Sequence, residues 1–166
     1  MWQDRRTAAR CDQLAADGAL PLVRATTGLV LDPYFSGTKF AWMLAERGIA
    51  ADADLALGTI DSWILWNLTG GEVHATDPSN ASRTMLFDIR TLAWSPEMCD
   101  LLHVPIEALP TVRPSSGRFG VTSERCGCRP ASRCRASPAI SRRRCSARRP
   151  SPPGRRRTPT GRGASC

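Results

Sequence analysis

An α/β fold is predicted for residues 1–125. Apolar positions recur there at helical spacing, short apolar runs closed by Gly or Pro lie between those helices, and the composition permits a core. The chain has 166 residues, 42% of them hydrophobic, enough for one domain at the usual size of about 150 residues. No internal repeat divides it.

The elements follow in chain order. Trp2 to Asp17 reads as a helix with Ala8, Cys11 and Ala15 on one face and Gly18 at its end. Thr27-Gly28-Leu29-Val30-Leu31 is short and apolar and runs into Asp32-Pro33, which predicts a buried strand or extended segment entering a loop. Ser36 is placed to cap a helix that carries Phe40, Met43 and Leu44 and stops at Gly48. Ile60–Leu68 is apolar and aromatic, turns at Thr69-Gly70-Gly71 and continues through Glu72–Thr76. A buried helix or strand leading into a hairpin fits it, and periodicity leaves both open. Ser95-Pro96-Glu97 supplies a cap, a first-turn proline and an acid for a short helix through Leu102.

The overall charge of +8 invites a nucleic-acid reading, but it averages two different polymers. Residues 1–125 hold 11 Lys and Arg against all 15 acids, a net −4, together with all ten aromatics and two cysteines, Cys11 and Cys99. Residues 126–166 hold 12 Arg, no acid and no aromatic, with six prolines and five cysteines. A stretch of that kind buries too little apolar surface to offset chain entropy, so a disordered basic tail is expected over 126–166.

Conventional site signals are weak. Ser36-Gly37-Thr38-Lys39 shares letters with a phosphate loop in the wrong order. His74 and His103 stand alone, each expected to be a surface or hydrogen-bonded residue rather than a ligand. The tail cysteines 126, 128, 134, 145 and 166 lack paired CxxC spacing and histidines, which argues against zinc. No metal site is assigned. No apolar run reaches the ~20 residues of a membrane span, and no basic start precedes an apolar stretch at the N-terminus. A cytoplasmic protein without membrane association is expected.

Whole phrases carry more. Trp2-Gln3-Asp4-Arg5-Arg6-Thr7, TTGLVLDPYFSGTK at 26–39 and GTIDSWILWNLTGGEVHATDPSNASRTMLFDI at 58–89 occur in that order. Together they resemble the FGGY carbohydrate kinases, and within them the kinases of glycerol, over about residues 1–125. The resemblance implies a partial N-terminal domain of the actin/Hsp70-like (ribonuclease H-like) ATPase fold. It also implies ATP-dependent, Mg2+-assisted phosphorylation of glycerol to glycerol 3-phosphate, with self-association as a family trait. In the family, the tryptophan matching Trp2 packs its ring on the carbon side of the polyol, and the tyrosine matching Tyr34 hydrogen-bonds a hydroxyl. A triol needs an apolar wall and directional polar partners. From composition alone both aromatics read as packing residues; the phrases reverse that. Trp42, Trp63, Trp66 and Trp94 are expected in the core. Arg83 could contact phosphate, but a salt bridge holding its loop is the preferred expectation.

Departures from the family pattern bear on activity. The phrases begin at the tryptophan motif, so the family's Gly/Thr/Ser-rich phosphate hairpin and its glycerol-gripping Arg-Glu pair are not among these residues. If GC-rich codons are assumed for Ser137–Ala147, reading them one base earlier can give IAGDQQAALFG, a phrase that resembles the family's catalytic one. The same assumed shift over Arg156–Gly163 can give a second family phrase, so a change of reading frame near Cys126–Cys128 is the expectation. In the present frame Ile140 stands where the family has its general-base aspartate, so no catalytic residue is assigned. The isolated chain is expected to be inactive and to bind neither ATP nor Mg2+. Two other readings are a protein binding nucleic acid non-specifically through Arg142–Arg144 and Arg155–Arg157, with no aromatics to stack on bases, and a pseudogene product without function.

Overall fold

The computed structural model describes residues 4–123 and the backbone of 133–135. Helices α1 (Ala8–Ala16), α2 (Leu20–Thr27), α3 (Ser36–Arg47) and α4 (Ile60–Leu68) come first. Strand β1 (Ala75–Thr76), helix α5 (Pro78–Ala81), strands β2 (Phe87–Asp88) and β3 (Ala93–Trp94) and helix α6 (Pro96–Leu102) follow. A 3-10 turn at Ile106–Ala108 leads to β4 (Thr111–Val112), β5 (Arg118–Val121) and β6 (Arg133–Arg135).

The expected alternation is present, with short strands. β1 pairs parallel with β4, Ala75 opposite Thr111, so the chain between them makes a helix-bearing crossover. β2 and β3 form an antiparallel ladder, Phe87 opposite Trp94. β5 pairs antiparallel with β6, whose three residues fall within the stretch expected to be without order.

The first helix begins at Ala8, six residues later than expected, because Arg5–Thr7 form a turn whose carbonyls accept from Ala8 and Cys11. Its inward face is Cys11 and Leu14, while Ala15 is exposed. No strand forms over 27–31, and the segment is not the buried one expected: Val30 is 48% exposed. Thr27 closes α2, and Gly28 caps that helix in the left-handed region at φ 69°. The β-branched pair Thr26-Thr27 speaks against a helix locally, but tertiary burial overrides it. Val23, Thr26 and Thr27 all face inward, and the Thr27 hydroxyl bonds back to the Val23 carbonyl at 2.7 Å.

α3 ends at Gly48 as its apolar spacing predicts, with Phe35 rather than Ser36 at the cap position. Ile60–Leu68 is the helix of the two alternatives, and β1 pairs with distant β4 rather than completing a hairpin. Trp63 and Trp66 are 62% and 41% exposed and not core residues; Ser62 and Leu65 take the inward face. α6 matches its signals: the Ser95 hydroxyl accepts from the Met98 amide.

The main core joins Leu14, Val23, Phe35, Phe40, Met85, Leu86, Met98 and Leu102. It therefore lies between α1, α2 and α3 on one side and the 85–102 segment on the other. Trp94 packs against it half-buried, its indole donating to the Pro110 carbonyl at 2.7 Å. Trp42 is also half-buried. A second, smaller cluster holds Leu65, Ala75 and Phe119.

Candidate functional site around Tyr34

Asp32, Pro33, Tyr34 and Phe35 make the turn that enters α3. The Asp32 carboxylate accepts from the Tyr34 amide at 2.7 Å, and the Asp32 carbonyl accepts from the Phe35 amide at 3.3 Å. This side-chain-to-backbone turn is what Asp before Pro favours. It sends successive rings opposite ways: Phe35 is 6% exposed in the core and Tyr34 is 47% exposed. The rings meet edge to face with centroids 5.3 Å apart. Lys39, one turn into α3, donates to the Tyr34 carbonyl at 3.0 Å and so ties the turn to the helix.

The second wall comes from α5. Asp77, 2% exposed, caps this helix by accepting from the Asn80 amide at 3.0 Å. It also accepts from the side chains of Ser79, Asn80 and Ser115, the last at 2.6 Å across 38 residues. Burial by itself would raise this carboxyl, but the donors from Ser115, Asn80 and Ser79 outweigh it and hold it below the ordinary carboxylate range. The chain leaving α5 then bonds to α3, Gly37 donating to the Thr84 carbonyl at 2.7 Å. This docking sets Arg83 over both rings, its guanidinium carbon 5.0 Å from the Phe35 centroid and 5.5 Å from that of Tyr34.

Arg83 does not make the expected salt bridge. The ion pairs among the described residues are Arg6–Asp4 and Arg90–Asp88, and Arg83 faces aromatic rings instead. Trp2 and Ile140 lie outside the described residues, as do the Arg142–Arg144 and Arg155–Arg157 runs. The rest of the Trp2 phrase reaches the same helix. Thr7 and Thr38, both buried, share a hydroxyl–hydroxyl bond of 3.0 Å. Arg6 lies 4.6 Å over the Trp42 ring on α3 while its amide and Nε donate to Asp4. The Arg6 amide, more than any other group, holds the Asp4 carboxyl below its ordinary range. Described parts of all three sequence phrases thus converge on the N-terminal half of α3.

Sequence reasoning singled out Tyr34 but not its supports, Asp32 and Lys39. The Asp-Pro turn was a usable signal for Asp32. The link from Asp77 to Ser115 spans too many residues for any local pattern to reveal. The two lone histidines are satisfied or peripheral as expected. His74 pairs its Nε2 with the Leu57 carbonyl at 2.8 Å, and His103 ends α6 in the left-handed region. A separate open groove of about 580 Å³ is lined by residues including Asp52, Asp54, Leu55, Trp63, Trp66 and His74. None of the residues around Tyr34 lines it.

Among the described residues no group of three or more His, Cys, Asp or Glu side chains could hold a metal ion. Nor does any helix among them have the length and apolarity to cross a membrane.

Comparison with known proteins gives the geometry a family setting. The N-terminal domain of the FGGY family of carbohydrate kinases matches residues 1–127. The glycerol kinase of Trichlorobacter lovleyi is 57% identical over 129 residues, covering 75% of this chain and 26% of that protein. That of Thermus brockianus is 54% identical over 126 residues, covering 74% of this chain and 26% of the relative. Among solved structures, Plasmodium falciparum glycerol kinase with ADP superposes with a TM-score of 0.72 at 28% identity, over 82% of this chain and 28% of that one. Gluconate kinase from Lactobacillus acidophilus superposes equally well, TM-score 0.72, at 19% identity, a likeness of fold alone. The chain spans about a quarter of the length of the relatives it matches.

Proposed function

This chain belongs to the FGGY family of carbohydrate kinases, and on that premise we propose that it carries the polyol-facing wall of a glycerol kinase. The reaction is ATP-dependent transfer of a phosphoryl group to a terminal hydroxyl of glycerol, giving glycerol 3-phosphate. Phosphoryl transfer depends on placing the acceptor oxygen in line and stabilising the transferred group. The first of these tasks falls to this part of the chain. Tyr34 offers its hydroxyl to the polyol, and Trp2 lays its ring along the carbon face. Support comes from one observation above all: Tyr34 stands 47% exposed beside fully anchored Phe35, on a turn held from three directions.

Proton removal from the attacking hydroxyl is a separate task. On the reading-frame argument Ile140 stands where the family phrase has its aspartate, and an alkyl side chain accepts no proton. The 166-residue chain by itself therefore binds the polyol weakly without turning it over. ATP and Mg2+ belong to the reaction through groups other than the described residues. Residues 1–125 act as the partial kinase domain and 126–166 as a basic tail. The cytoplasm and self-association are the setting that the family suggests.

A coupled ADP-release assay with glycerol tests this. The purified chain is expected to release ADP at the background rate with and without glycerol. Glycerol-dependent turnover approaching that of an intact kinase would overturn the division between binding and chemistry.

A further inference from the structure

The geometry points to Arg83 as a positioning residue for Tyr34: its guanidinium clamps the tyrosine ring in the orientation that presents the hydroxyl to substrate. The inference rests on the polyol reading above and adds a residue to it. Arg83 is exposed, yet its cation lies against two rings, and none of the carboxylates among the described residues comes within salt-bridge distance of it. A guanidinium near an aromatic face is attracted by the ring quadrupole, and the Arg83 guanidinium carbon is within the roughly 6 Å reach of that attraction for both rings.

Both sides of the clamp have rigid mounts. Phe35 is buried in the core and meets Tyr34 edge to face with planes at 88°, so one side of the tyrosine rests on a fixed surface. Arg83 itself leaves a helix whose cap Asp77 is bonded to Ser79, Asn80 and Ser115. Its amide donates to the Asn80 carbonyl at 3.0 Å, and the next residue, Thr84, is bonded to Gly37 of α3. An exposed tyrosine side chain with two free torsions otherwise loses freedom when it meets a ligand. A clamp that removes the freedom beforehand leaves less to lose on binding.

Tyr34 is the only tyrosine in the sequence, so ring-13C-labelled tyrosine gives one side-chain signal from the full chain. We expect that signal to move toward the position of free tyrosine and to sharpen in Arg83→Gln. Arg83→Lys, which keeps the charge but not the plane, should lie between. The Trp94 indole NH, bonded to the Pro110 carbonyl far along the chain, should stay where it is in both variants, which a general loosening of the fold would not allow. Glycerol titration followed on the Tyr34 signal should have its midpoint raised roughly two- to five-fold by Arg83→Gln, the range expected of an exposed cation–π contact. Followed instead by equilibrium dialysis, the same substitution should add nothing once Tyr34→Ala is present. A Tyr34 signal unchanged by both Arg83 variants overturns the clamp, as does an Arg83→Gln effect of equal size in the Tyr34→Ala background. If glycerol moves no signal in the unsubstituted chain while Arg83→Gln still moves Tyr34, the clamp stands and the polyol reading falls.

Discussion

The Gly37 amide donates to the Thr84 carbonyl at 2.7 Å, and a Cβ at Gly37 would lie 2.5 Å from that same oxygen and 2.8 Å from a Leu102 methyl. The bond that docks the α5 segment onto α3 therefore exists only because residue 37 has no side chain. Everything that faces Tyr34 from the second wall depends on this contact.

Gly37→Ala forces the Thr84 backbone away from α3. Overpacking of this kind costs about 1–3 kcal/mol, and the backbone oxygen cannot rotate aside. The urea midpoint is expected to fall accordingly, and the Tyr34 ring signal to shift with it. An unaltered midpoint would mean that the two segments are not in contact.

Asp77 is expected to be a stabilising carboxylate whose effect depends on pH in a particular direction. Its folded value is held below the ordinary 3.8, so the folded state binds fewer protons than the unfolded one near that pH. The stabilisation is complete above about pH 4–5 and is lost as pH falls through the folded value. Asp77→Ala should cost about 2 kcal/mol at pH 7, through the lost cap and the donors left without an acceptor. The gap between the two chains in urea denaturation should narrow steadily below about pH 4. A gap that is constant from pH 7 to 3 contradicts the assignment.

Cys99 and Cys11 behave as small apolar core residues. Burial, then the neighbouring Asp100 and Glu107 carboxylates, push the Cys99 thiol up to about 11 from 9.0. Burial foremost also raises Cys11. A value two units higher leaves on the order of a hundred-fold less thiolate at neutral pH. Residue-resolved alkylation at pH 8 should modify both far more slowly in the native chain than in urea. Because the folded value is the higher one, the contribution of Cys99 to stability is complete below about pH 9 and is lost as pH rises toward 11.

How much of this was legible beforehand depended on the range of the interactions. Helix ends with local signals, such as Ser95-Pro96-Glu97 and Gly48, stand where the sequence puts them, because a cap and its partner lie within one turn. The α2 helix was not legible, since its threonines favour extended chain locally and the burial of Val23, Thr26 and Thr27 turns the balance. Trp63 and Trp66 were misplaced for a related reason: hydrophobicity ranks a residue's preference for the interior, while the Ser62–Leu65 face decides which side of α4 turns inward. In the site, Tyr34 could be named from its phrase. The cation over it could not, because Arg83 reaches Tyr34 across 49 positions through a backbone contact at a glycine.

The substitution Tyr34→Ala should act on ligand binding far more than on folding. Tyr34 is 47% exposed, so its removal should change the unfolding free energy from urea denaturation by less than about 1 kcal/mol. Equal losses of stability and of glycerol binding would reduce Tyr34 to a packing residue.

Equilibrium dialysis of radiolabelled glycerol against the 166-residue chain, beside its Tyr34→Ala and Trp2→Ala variants, bears most directly on the polyol wall. The expected result is weak, saturable uptake by the unsubstituted chain, reduced about ten-fold or more in each variant, the loss that follows when a directional partner or an apolar wall of roughly 1.4 kcal/mol is removed. Uptake that is indifferent to both substitutions, or no saturable uptake at all, contradicts it.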